Sequence, residues 1–137
     1  LYGTAGDYLK FLRMILNHGQ LGGERILSPE GVVSLGLNHM GDCRVYKLKA
    51  AIALTNDAEF FPGITKSWSL AFQINHEPAP TGRSAGGLMW AGLANSYYWL
   101  DPSRGLAGVY ITQIFPFADH QSLPLFYDFE TAVYRSV

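Results

Sequence analysis

The chain contains very little cysteine, no cluster of like charges and no long apolar run. Cys43 is the single cysteine among 137 residues, which excludes an internal disulfide and a thiolate metal cluster. Ten basic residues balance eleven acidic ones without a basic cluster, so nucleic acid is not an expected partner. Apolar runs such as residues 50–54 are too short to cross a bilayer, so no membrane span is expected.

Candidates for a cysteine nucleophile or a metal site are weak. Cys43 has His39 close in sequence, but the segment lacks the glycine-rich or strand-to-helix context of an activated thiol. A buried or idle thiol is therefore predicted. No metal-ligand spacing links the four histidines, so neither a metal nor another cofactor is expected; they are His18, His39, His76 and His120.

Length and composition predict one folded segment. Apolar residues make up 48% of the chain and aromatic residues 14%, which argues against disorder and readily supplies a core. A chain of 137 residues forms at most one domain. It opens on Leu1-Tyr2-Gly3 without a Met or a signal-like segment, and we expect residues 1–137 to be a fragment of a longer domain.

Capping signals and apolar spacing predict three helices. Thr4 and Asp7 have the spacing of a capping box, and apolar residues follow at helical spacing. Ser28 before Pro29 is a strong start signal for a second helix. The apolar spacing within residues 123–137 predicts a third helix that closes over one face of the fold.

The remainder of the chain predicts a loop followed by an antiparallel meander. Residues 41–62 lack a clear period and are predicted to be mainly loop. Turn residues separate the apolar runs that follow, as in consecutive hairpins. The last two runs are apolar on both faces, which indicates an antiparallel sheet covered by helices and an α+β fold. The strands are predicted at residues 67–75, 86–93, 96–100 and 106–113.

The end of the second predicted strand resembles a known active-site motif. Trp90-Ala91-Gly92 is followed by the run Tyr97-Tyr-Trp-Leu-Asp-Pro102. This pattern is similar to the third motif of the serine β-lactamase and penicillin-binding-protein superfamily. That motif is Lys-Thr-Gly in the superfamily and becomes Trp-x-Gly in the esterase-like branch related to class C β-lactamases. The segments 4–8 and 21–29 resemble two further stretches of these enzymes, so the resemblance extends over nearly the whole chain.

The other two motifs of that superfamily are not in the sequence. Neither Ser-x-x-Lys, which contains the nucleophilic serine, nor Tyr-x-Asn occurs anywhere in it. The resemblance therefore implies that residues 1–137 are the C-terminal portion of a β-lactamase/transpeptidase-like domain, without its N-terminal catalytic elements. The expected partners are a small acyl ester or amide substrate and the missing N-terminal part, or another copy of the chain.

The resemblance also implies roles for individual residues. The backbone N–H of Leu93 would be one of two donors in an oxyanion hole, and Gly92 would leave room for substrate. Trp90 and Ala91 would contact substrate, and an indole in place of lysine favours a neutral ester over an anionic β-lactam. His120 would border the active site and is a possible substrate contact.

The function expected from this resemblance is part of a serine hydrolase that cleaves carboxylic esters through an acyl-enzyme. The chain alone is expected to be inactive because it lacks a nucleophile. A β-lactamase or a D-amino-acid peptidase of the same fold is the alternative within the superfamily. A catalytically empty module that binds a ligand or a partner is the alternative outside enzymology.

Overall fold

The computed structural model describes residues 2–137 as three helices and seven strands. The chain begins with α1 (Ala5–Leu16), a short hairpin and α2 (Pro29–Gly36), and it ends with α3 (Ser122–Arg135). The hairpin consists of β1 (Gln20–Leu21) and β2 (Glu24–Arg25). Five further strands follow the long loop: β3 (Lys66–Trp68), β4 (Gln73–Asn75), β5 (Leu88–Gly92), β6 (Ser96–Asp101) and β7 (Leu106–Tyr110).

The strands β3 to β7 form one antiparallel sheet in sequence order, with α1 and α3 on opposite faces. Tyr97 and Trp99 of β6 pack against Phe126 of α3, with the Tyr97 and Phe126 ring centroids 4.8 Å apart. Tyr98 and Leu100, the alternate residues of β6, join the core beneath α1. The predicted α+β fold, with an antiparallel sheet buried on both faces, is therefore confirmed.

Both N-terminal helices begin at the predicted caps. The hydroxyl of Thr4 accepts the backbone N–H of Asp7 at 3.1 Å, and that of Ser28 accepts the N–H of Gly31 at 3.0 Å. Each hydroxyl replaces a hydrogen-bond partner that the first turn of a helix lacks. The third helix is also confirmed, one residue earlier than the apolar spacing begins.

The prediction of one strand over residues 67–75 is wrong, because the chain turns back on itself within that range. The hydroxyl of Ser69 accepts the N–H groups of Ala71 (3.1 Å) and Phe72 (2.8 Å), which closes a tight turn between β3 and β4. Leu70 at the turn is apolar but exposed, so the apolar run hid the turn. The last predicted strand is also shorter than expected and ends at Tyr110.

The predicted loop over residues 41–62 is mainly irregular, and two isolated bridges tie it to its surroundings. One joins Leu48 to Ala58 within the loop, and the other joins Thr55 to Phe117. None of the helices in the described part of the chain combines the length and apolarity that crossing a bilayer requires.

Candidate functional site

Among the residues that the structure describes, the end of β5 has a strand partner on one side only. Its pairing with β6 continues to Gly92, whereas its pairing with β4 ends at Met89. Within residues 2–137, the stretch from Trp90 to Gly92 therefore has one edge without a neighbouring strand. Such an edge offers free backbone N–H and C=O groups to a bound molecule.

An uncharged cleft of about 290 Å³ lies beside this strand end. Tyr8 of α1 forms one side, and residues of β5, β6 and the end of β7 form the rest. The ten residues that line it include Trp90, Ala91, Gly92 and Ser96, and none of the ten bears a charge. The structure thus brings three of the predicted site residues together in one apolar cleft, which suits a neutral ligand.

Trp90 is held in place by two aromatic neighbours. Its ring packs edge-on against Trp68, with 4.4 Å between ring centroids, and against Phe60 at 5.8 Å. The side chain is half-buried, and none of the hydrogen bonds within residues 2–137 involves its indole N–H. Trp90 therefore packs against the core and also presents a fixed aromatic face with a free donor, which is suited to contact with a bound molecule.

Leu93 lies in a three-residue turn between β5 and β6. The turn is closed by a hydrogen bond of 3.1 Å from the N–H of Asn95 to the carbonyl of Gly92. Leu93 is 46% exposed, and its own N–H donates to no residue that the structure describes. That N–H is therefore available to an external acceptor beside the cleft, as an oxyanion donor would be.

Gly92 leaves open space that the fold itself does not need. A Cβ built at this position would lie 3.8 Å from Cβ of Ser96, which is an ordinary van der Waals distance. Gly92 also has no backbone conformation that requires glycine. The absence of a side chain there is thus not explained by local packing or strain.

Two tyrosines near the cleft remain protonated at neutral pH. Burial raises the pKa of Tyr97 and of Tyr98, and the neighbouring Tyr8 adds to the shift of Tyr98. A raised pKa keeps the phenol neutral, so neither residue is a base at neutral pH. Both belong to the packed cores, as their positions on β6 predict.

The structure contains one serine–histidine pair that the sequence did not reveal. A ring nitrogen of His76 lies 2.7 Å from the hydroxyl oxygen of Ser67. Ser67 is completely buried in β3, however. A substrate carbonyl cannot reach that oxygen, so the pair is not a nucleophilic centre in this conformation.

His120 lies outside the Trp90 cleft. It lines a separate depression together with Lys47, Asp57 and residues of α3. Its neighbour Asp119 does approach the β5–β6 turn, because the N–H of Asp119 donates to the side chain of Asn95 at 3.0 Å. The structure therefore places His120 near the same end of the sheet but does not bring it together with Trp90.

Neither the sequence motif nor composition identified Asn95 as more than a turn residue. It is completely buried, and its φ of 57° lies in the left-handed region. An Asn at a tight hairpin was the available signal, because Asn tolerates that region better than most residues.

In the described range no group of three or more His, Cys, Asp or Glu side chains is placed to hold a metal ion.

Comparison with curated proteins finds two sequence relatives. Two Mycobacterium tuberculosis proteins, Protein Rv1367c and Uncharacterized protein MT1414, are each 31% identical to this chain over 121 residues. The matched region covers 85% of this chain and 28% of each relative. The chain therefore spans less than a third of the length of these curated relatives. No family model matches the sequence.

Solved structures resemble the chain more extensively. The unliganded simvastatin synthase LovD from Aspergillus terreus superposes with a TM-score of 0.73 at 20% identity, over 96% of this chain and 34% of that one. A penicillin-binding protein homologue from Caulobacter crescentus gives a TM-score of 0.55 at 18% identity, over 88% of this chain and 30% of its own. A putative β-lactamase from Bacteroides dorei gives 0.51 at 22% identity, over 95% and 39%. The chain thus has the same fold as about a third of each of these β-lactamase/transpeptidase-like structures.

Proposed function

We propose that this chain forms one wall of the active site in a serine hydrolase that cleaves neutral carboxylic esters through an acyl-enzyme. The enzyme would belong to the esterase-like branch related to class C β-lactamases. Residues 1–137 would be the C-terminal portion of its catalytic domain, and the nucleophilic serine would come from the N-terminal portion. The observation that supports this most is the one-sided edge from Trp90 to Gly92 beside an uncharged cleft.

In the proposed reaction, the serine attacks the ester carbonyl and the carbonyl oxygen becomes negatively charged. The free N–H of Leu93 would donate to that oxygen, together with a second donor outside this chain. Such a donor lowers the barrier because it binds charge that is present only in the transition state. The attack gives a tetrahedral intermediate, whose collapse expels the alcohol and leaves the acyl group on serine. Water then hydrolyses this acyl-enzyme.

The chemistry of Trp90 favours an ester over a β-lactam. Penicillins and cephalosporins carry a carboxylate, which a positive charge near the strand end would bind. The cleft offers an indole and tyrosine rings instead, with no charged lining residue. Trp90 and Ala91 would therefore contact the apolar part of a small or medium acyl ester.

The experiment compares ester and β-lactam turnover by the longer protein that this proposal implies, of which residues 1–137 would be the C-terminal portion. We expect hydrolysis of p-nitrophenyl butyrate and little hydrolysis of a chromogenic cephalosporin. Trp90→Ala should raise KM for the ester by about tenfold with a smaller change in kcat, because it removes binding surface. Trp90→Lys should shift the ratio of kcat/KM values toward the cephalosporin.

Tyr46→Ala is the matched control, since Tyr46 is an exposed aromatic residue outside the cleft. It should leave both substrates unaffected. A preference for the cephalosporin in the unaltered protein would support the β-lactamase alternative instead. Binding of a ligand without turnover of either substrate would support an empty binding module and contradict the proposal.

A further inference from the structure

Asn95 is a buried polar residue at the point where a hairpin turn is normally exposed. Its relative exposure is 0%, although Leu93, two residues earlier, is 46% exposed. Its backbone has a positive φ, which residues other than Gly, Asn and Asp adopt only with strain. Burying a side-chain amide without hydrogen-bond partners is costly. The partners of Asn95 must therefore account for its burial.

All four hydrogen-bonding positions of the Asn95 amide are used. Its Nδ2 donates to the carbonyls of Ile114 (2.9 Å) and Pro116 (2.7 Å). Its Oδ1 accepts the hydroxyl of Tyr97 (2.6 Å) and the N–H of Asp119 (3.0 Å). A primary amide has two N–H groups and two lone pairs, so none is left unpaired.

The partners of Asn95 lie mainly on one segment, residues 112–119, which follows β7. The same segment holds the rest of the turn, because the hydroxyl of Thr112 donates to the carbonyl of Ala94 at 2.6 Å. The N–H of Ile114 donates to that carbonyl as well, at 3.3 Å. The turn is thus fixed from the side of this segment, while the N–H of Leu93 remains free beside the cleft.

We propose that Asn95 is a positioning residue that fixes the Leu93 N–H for the oxyanion. This inference rests on the proposed function, and Asn95 itself does not touch the substrate. The N–H of a turn residue is aimed only as well as the turn is held, and a displacement of about 1 Å can cost on the order of a hundredfold in rate. The amide of Asn95 holds the turn through bonds to four groups.

Two substitutions separate the amide bonds from the backbone requirement. Asn95→Gly keeps the freedom for positive φ and removes all four side-chain bonds. Asn95→Asp keeps the shape but places a carboxylate oxygen against the carbonyls of Ile114 and Pro116, so it breaks those two bonds and adds repulsion. If neither variant folds, Thr112→Val, which removes the bond to the Ala94 carbonyl, tests the same hold on the turn. Ile74→Val, a buried change in β4 away from the turn, controls for general loss of stability.

The first measurement is kinetic and uses the longer protein. Asn95→Gly should lower kcat for p-nitrophenyl butyrate on the order of tenfold to a hundredfold, with KM within about threefold. A boronic acid that forms a tetrahedral adduct with the serine should lose affinity by the same factor as kcat/KM. A merely destabilising change lowers the amount of folded enzyme but not this affinity, so Ile74→Val should leave it unchanged.

The second measurement is amide hydrogen exchange in the 137-residue chain, and it needs no activity. Asn95→Gly should speed exchange of the hydrogen-bonded amides of Ile114, Asp119 and residue 95, and leave α1 unaltered. Unchanged kcat and inhibitor affinity in the Asn95 variants would overturn the proposal, as would unchanged exchange in the turn. If the unaltered longer protein hydrolyses no ester, the proposed function fails, and exchange alone decides whether Asn95 holds the turn.

Discussion

Gly92 and Gly108, both in the large sheet, are surrounded differently. Gly108 of β7 lies opposite Trp99 of β6, and a Cβ there would collide with the indole ring. A Cβ at Gly92 would meet nothing closer than 3.8 Å. The fold therefore needs a glycine at Gly108, whereas Gly92 leaves open space beside the cleft.

Gly92→Ala should leave the free energy of unfolding nearly unchanged and still lower kcat/KM for the ester about tenfold. The methyl group would enter the cleft rather than the core. Gly92→Val should crowd the acyl group further and lower kcat by about a hundredfold, a loss comparable to that of an oxyanion donor. Urea unfolding and steady-state kinetics of the same protein check both effects.

Gly108→Ala is the contrasting variant for this test. It should reduce the free energy of unfolding by about 1–3 kcal/mol, because overpacking forces the Trp99 ring to move. An unchanged kcat/KM in Gly92→Val would contradict the assignment of Gly92 to the substrate site.

At the scale of elements, one buried carboxylate joins the end of β6 to α3 and to the loop before β5. Asp101 accepts the N–H of Ser84 at 2.9 Å and the hydroxyls of Ser103 at 2.6 Å and Tyr134 at 2.9 Å. Burial by itself raises the pKa of Asp101, but these hydrogen bonds outweigh it and lower the pKa below its ordinary value. The charged form is therefore the one that stabilises the fold.

Asp101→Asn should destabilise the chain by about 1.5–3 kcal/mol at pH 7, since hydrogen bonds to a charged acceptor are lost. A lowered pKa means that the carboxylate's contribution is complete above about pH 4 and is lost as pH falls through the folded-state value. The difference between the two proteins should therefore shrink below pH 4. Urea unfolding from pH 7 to pH 2 measures it.

Asp128→Asn is the control, because Asp128 is exposed on α3. It should alter stability little at any pH in that range. A gap between Asp101→Asn and the unaltered chain that stays constant down to pH 2 would contradict the role given to the carboxylate.

Elements with local signals were predictable, and those that depend on distant partners were not. Thr4 and Ser28 predict the starts of their helices because each hydroxyl accepts a hydrogen bond from a backbone N–H only three residues later. The turn at Ser69 was missed because a serine hydroxyl closes it inside an apolar run. Likewise Asn95 was visible as a turn residue, but its burial depends on Pro116 and Asp119, more than twenty residues away.

At the scale of the whole molecule, several large apolar side chains are exposed in the segments near the turn. Leu93, Ile114 and Phe115 are each at least 44% exposed, and Ile111 at the cleft is 43% exposed. Large apolar side chains grouped on a surface mark a site of contact with another molecule. We expect the rest of the catalytic domain, or a second copy of the chain, to cover this region.

The 137-residue chain alone should therefore bind a dye specific for exposed apolar surface, and the longer protein should bind less per molecule. The isolated chain should also hydrolyse p-nitrophenyl butyrate no faster than the blank, because it contains no Ser-x-x-Lys. Dye fluorescence, light scattering and the ester assay measure these properties. A monomeric chain without such surface, or specific hydrolysis by it, would contradict the proposed division of the active site.

The alternation along β6 has a consequence for how the chain tolerates insertions. Tyr97 and Trp99 belong to one core, and Tyr98 and Leu100 belong to the other. A shift of one residue along β6 would exchange the two sets and misplace every ring at once. The lengths of the turns at the two ends of β6 therefore fix this alignment, and so does the core packing of Phe60 on Tyr97. The exposed part of the long loop, residues 49–54, can lengthen without shifting β6. An inserted residue should therefore disrupt the fold at either end of β6 and be tolerated in the exposed part of the loop.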